Sequence, residues 1–97
     1  MAGLNCGTLS TLAWPAIVAG LDAALVTDDE SVARATDLLS ELGVDAGPCG
    51  AASLAALSDV SSGPDAIAFR RHVGMESDGT VVLLVTESSA ANPSRHV

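Results

Sequence analysis

The chain has no lysine and no tyrosine, and one tryptophan with one phenylalanine holds the aromatic share at 2%. Without lysine there is no primary side-chain amine to form a Schiff base with a carbonyl compound. Without aromatics there are no platforms for stacking bases and few large residues to fill a core. Positive charge is also scarce, since four arginines face twelve acids for a formal charge of −8. That balance repels phosphate backbones and anionic lipid, so neither nucleic acid nor a membrane is an expected partner. No apolar run reaches the roughly 18 to 20 residues of a membrane span, because Asp22, Asp28 and Asp29 interrupt the most apolar region. The two cysteines, Cys6 and Cys49, lack CxxC spacing and follow no recognisable secretory signal, so free thiols in a cytoplasmic protein are expected.

What is present is a 97-residue chain with 48% hydrophobic side chains, enough for one domain. Alanine and leucine must carry its packing. Apolar residues at Leu9, Leu12, Ala13, Ala16 and Ile17 follow helical spacing, which predicts a helix over residues 10–20. Pro15 requires the start to lie within a turn of it, with Ser10 or Thr11 as cap. Residues 22–26 suit a short buried strand. Thr27 and Glu30 match a capping box, and Val32, Ala35, Leu39 and Leu42 form one face of a helix that Gly43 stops. Pro48 fits the first turn of a further helix over residues 49–57, small on nearly every side and therefore open to close approach by a backbone or a flat ligand. A fourth helix turns Ile67, Ala68 and Phe69 inward and exposes Arg70, Arg71 and His72.

Residues 80–85 read TVVLLV, apolar on both faces of a pleat, the pattern of a central strand in a parallel sheet. The expected order is thus helix, strand, three helices and strand, an α/β chain with a partial parallel sheet and flanking helices. Two strands cannot cover a strand that is apolar on both faces. The expectation is a piece of a larger sheet or an obligate oligomer. Residues 1–93 read as one unit and 94–97 as a disordered tail.

Cys6, Cys49, His72 and His96 are not spaced as metal ligands, and no metal site is expected. No serine sits in a GxSxG context. GLNCG and GPCG could present backbone amides to a phosphate, although each also reads as an ordinary turn.

Three motifs in succession, AGLNCGTLSTLAWP at residues 2–15, GPCGAASLAAL at 47–57 and VVLLVTES at 81–88, resemble the C-terminal part of fold-type-II pyridoxal-phosphate enzymes. The subgroup they are most similar to is diaminopropionate ammonia-lyase-like, within the tryptophan synthase beta and threonine dehydratase superfamily. The resemblance implies pyridoxal 5'-phosphate as cofactor, with Gly3, Leu4, Asn5 and Cys6 in a loop near it and Thr86 as the hydroxyl facing the pyridine nitrogen. Read without the resemblance, Thr86 merely ends a strand. Two departures stand out: Gly47 and Pro48 replace an acid-containing version of the second motif, and Ser88 follows Glu87 where glycine is usual. The implied reaction is α,β-elimination from an amino acid, giving ammonia and a 2-oxo acid.

The missing lysine makes such a chain inactive alone, a truncated or divided member needing an N-terminal complementing chain or a homo-oligomer. No catalytic residue is assigned. The competing expectation is a non-enzymatic α/β interaction module that binds a partner through an exposed sheet edge.

Overall fold

The computed structural model describes residues 7–91. Four helices follow one another: α1 over Trp14–Gly20, α2 over Asp29–Glu41, α3 over Pro48–Ser62 and α4 over Ala66–Val73, with a single 3-10 turn at Ser89–Ala91. Among the described residues there is no strand and no sheet. The α/β class with a partial parallel sheet is therefore wrong for this chain. The resemblance to the C-terminal part of a fold-type-II pyridoxal-phosphate enzyme falls with it, because that architecture requires the sheet.

The physical reason lies in what a strand needs. Residues 80–85 have strand composition, but a strand is stable only when a neighbour takes its backbone N–H and C=O groups. Residues 22–26 were the other candidate. They contain Ala23 and Ala24, poor strand formers that offer little surface to cover an apolar face. Neither stretch forms a ladder. A short continuous apolar run does not distinguish a buried strand from an unpaired segment.

The helices, which satisfy their own backbones, lie close to where the periodicity predicts them. In α1 the proline stands in the first turn, and Ser10 reaches forward, accepting from Trp14 N–H through its carbonyl (2.9 Å) and from Ala13 N–H through Oγ (3.2 Å). In α2 the cap is Asp28 rather than Thr27, its carboxylate accepting from Ser31 N–H at 2.8 Å. That bond, with a second from the Ser31 side chain, holds the Asp28 pKa below its ordinary value. Gly43 ends α2 at φ +83°. Its own N–H bonds Ser40 O (3.0 Å) and that of Val44 bonds Leu39 O (2.8 Å), a Schellman closure that glycine permits without strain.

The core is the seam between α2 and α3. Val32, Ala35 and Leu39 from α2 meet Ala51 and Ala55 from α3, with Ala46 of the connecting loop closing one end. Four of these six are alanines, so the helices approach closely but little apolar area per residue leaves water. Leu42, expected on this face, is instead exposed, as are Ile67 and Ala68 of α4, whereas Phe69 is half-buried.

A carboxylate ties the far end of α3 to the start of α2. Asp59 accepts from Thr27 Oγ1 through one oxygen (3.0 Å) and from Ser31 Oγ through the other (3.1 Å), and Arg34 donates to Ser31 Oγ at 3.0 Å. Thr27 thus belongs to this tie and not to a capping box. His72 Nε2, in α4, lies 2.6 Å from the carbonyl of Asp22 and fastens the loop before α2.

Candidate functional site

After α4 the chain makes a β-turn at 76–79, where Gly79 N–H bonds Glu76 O at 3.1 Å, and then runs beside the start of α3. Ser53 Oγ donates to the carbonyl of Leu84 (3.3 Å), Gly47 N–H to the carbonyl of Glu87 (3.1 Å), and Ser89 N–H to Asp45 Oδ1 (3.3 Å). The Glu87 carboxylate accepts from Cys49 N–H at 2.6 Å. Helix α3 begins Gly-Pro-Cys with no side-chain cap of its own, so Glu87, thirty-eight residues away in sequence, supplies the negative charge that a helix N-terminus favours.

Two glycines make this contact possible. A methyl group on Gly50 would lie 2.6 Å from the Glu87 carbonyl oxygen and 3.1 Å from Val85 Cγ1. One on Gly47 would lie 2.6 Å from Glu87 Oε1. The small surface of α3 that the sequence marks as open to close approach is indeed approached, by this chain's own backbone.

Glu87 and Asp59 are the acids that organise the molecule, and reading the sequence for chemistry assigned a role to neither. The signal for Glu87 was indirect: a helix starting Gly-Pro-Cys needs a cap from elsewhere. Asp59 gave no local signal, since its partners are distant in sequence.

Exposure along residues 81–85 alternates. Val82 and Leu84 are 80% and 73% exposed, whereas Val81 and Val85 are 44% and 39% exposed and Leu83 is half-buried. That period of two is the signature of an extended chain with one face against a body. Apart from the Leu84 carbonyl, no backbone group of residues 80–86 bonds another described residue. An extended chain sends the backbone groups of successive residues to opposite edges. The Leu84 carbonyl turns to Ser53 and the Glu87 carbonyl to Gly47, and no bond to a described residue involves the backbone of Leu83 or Val85.

Of the cofactor-binding residues implied by the resemblance, Gly3, Leu4, Asn5 and Cys6 lie outside the described residues. Thr86 is exposed and stands between Val85 and Glu87 with no sheet around it. The residues present do not fit pyridoxal phosphate: no lysine could tether it, no strand end frames a ring at Thr86, and the GPCG amide of Cys49 is taken by Glu87. Among the described residues no three His, Cys, Asp or Glu side chains come together as a metal site, and no helix is long and apolar enough to cross a membrane.

Among the described residues no histidine bonds the hydroxyl–carboxylate cluster of Thr27, Ser31 and Asp59. His72 contacts the Asp22 carbonyl instead, and the cluster's bonds join α3 to the start of α2. No family model, no curated protein and no solved structure matches the chain.

Proposed function

We propose that this chain is a non-enzymatic interaction module that accepts an extended strand from a partner along residues 80–85. The observation that carries the reading is the state of that segment: apolar, uncharged, with period-two exposure, moored to α3 at Leu84 and Glu87, and with no other backbone bond from residues 80–86 to a described residue. Strand addition satisfies such an edge by main-chain hydrogen bonds, while outward residues such as Val82 and Leu84 supply side-chain contacts.

The imbalance between core and surface supports the same reading. Among the described residues six apolar side chains, four of them alanine, form the core, and sixteen large apolar ones are exposed. Exposed apolar side chains, where they gather into a large patch, mark interaction sites. The lyase reading has lost its support, because it rested on the resemblance alone. The exposed-edge reading keeps its mode of binding but not its sheet, since the edge belongs to a single segment lying on a helix.

The test is a titration of the isotopically labelled chain with a soluble, uncharged octapeptide of alternating valine and threonine. The expected result is shifted and exchange-protected amides at residues 80–86, with α2 and α3 unchanged. Shifts spread over α2 and α3, or none anywhere, would remove the reading.

A further inference from the structure

The turn between α4 and residues 80–85 places an aspartate directly before a glycine, Asp78–Gly79, and both are exposed. We infer that Asp78 is a site of spontaneous covalent modification, the described aspartate that isomerises to isoaspartate in the folded chain. The Gly79 nitrogen attacks Cγ of the Asp78 carboxyl, and the new N–Cγ bond closes a succinimide ring. The carboxyl, reacting as the neutral acid, loses its hydroxyl, which leaves with the amide proton as water. Water then opens the ring. Attack at Cγ restores aspartate. Attack at the backbone carbonyl breaks its bond to the Gly79 nitrogen, so the chain runs through Cγ and the old carbonyl becomes a free carboxylate. One water leaves and one enters: the mass is unchanged and the backbone gains one methylene.

The geometry favours this bond over the other described aspartates. Asp28, Asp29, Asp37 and Asp59 cap or lie within α2 and α3, whose fixed dihedrals resist the rotation that ring closure needs. The carboxylates of Asp28 and Asp59 also already accept hydrogen bonds. Asp45 accepts from Ser89 N–H and precedes Ala46, which is 3% exposed. Asp22 and Asp65 each precede an alanine, whose methyl crowds the approach of its own nitrogen to the carboxyl. Gly79 brings no methyl and leaves the backbone free to turn. Its nitrogen is held by one bond, to Glu76 O at 3.1 Å in an exposed turn, and water replaces such a bond at little cost.

This inference does not depend on the strand-acceptor reading. The moorings at Leu84 and Glu87 lie beyond the altered bond, so isomerisation should shift the amides of residues 76–80 and leave those of Gly47 and Cys49 in place.

The experiment ages the intact chain at neutral pH and body temperature, in buffer and in urea, and maps its peptides by mass spectrometry with electron-transfer fragmentation, which distinguishes isoaspartate from aspartate at equal mass. The expected result in buffer is isoaspartate at residue 78 ahead of every other described aspartate, and its loss in Asp78→Glu, whose longer side chain would have to close a larger ring. The variant lies in an exposed turn and is expected to keep the helical spectrum of the parent. Residue 78 remaining free of isoaspartate in buffer, whether or not the chain in urea forms it there, would overturn the inference. Accumulation at Asp22 or Asp65 equal to that at Asp78 would overturn it as well.

Discussion

The seam between α2 and α3 and the segment beside it, residues 80–86, are both built from small and aliphatic side chains, yet one is buried and the other half-covered. The difference is backbone satisfaction. Each helix closes its own hydrogen bonds, so α2 and α3 need only shape to come together, and Ala35, Ala51 and Ala55 provide it. Residues 80–86 cannot close theirs. They are moored to α3 by the Leu84 carbonyl and by Val85 beside Gly50, and no other backbone group among them bonds a described residue. Helix α1 makes a third case, satisfied in its backbone but with no buried residue and no charge from residue 7 to residue 21. Apolar composition alone does not determine burial; a small complementary surface must be within reach.

The comparison breaks most severely at the seam. Ala51 is 0% exposed, and Ala51→Asp puts a carboxylate where water cannot follow, a cost of several kcal/mol. Far-UV circular dichroism should show loss of helix and of a cooperative melt. Gly50→Val acts one step outward. It collides with the Glu87 carbonyl and Val85 and should cost about 1–3 kcal/mol as overpacking. Hydrogen exchange at Gly47 N–H should then rise while the helical spectrum survives.

A gentler probe is acid. The Asp28 pKa is lowered in the folded chain by its bond from Ser31 N–H, so its contribution is fully present above the ordinary carboxylate pKa near 3.8. It is lost as pH falls below that value through the folded pKa. Asp28→Asn should flatten this part of the acid-unfolding profile, leaving the rest in place. The smallest effect is expected in α1. Ile17→Ser removes an exposed side chain and should shift stability by less than about 0.5 kcal/mol in denaturant melts. A larger loss would show that α1 packs on the body.

These differences explain what could be read from residue order. The Gly43 stop, the Pro48 start and the Val32, Ala35, Leu39 face were legible because their causes lie within a turn of the residue concerned. The cap of α2 was misassigned because Thr27 and Asp28 are both good caps and only tertiary structure gives Thr27 to Asp59. The sheet was misread because TVVLLV has the composition of a strand, and composition carries no information about whether a second strand exists. The site itself was half legible. The small face of α3 announced a close approach, but that the visitor would be Glu87 depended on chain path alone.

Amide hydrogen exchange of the isolated chain tests the central claim most directly. The account predicts slow exchange confined to α2 and α3, with Leu83 and Val85 exchanging at nearly the rate of an unstructured peptide. Protection at Leu83 and Val85 equal to that of the α2–α3 seam would mean that their edge is already paired, and would contradict it.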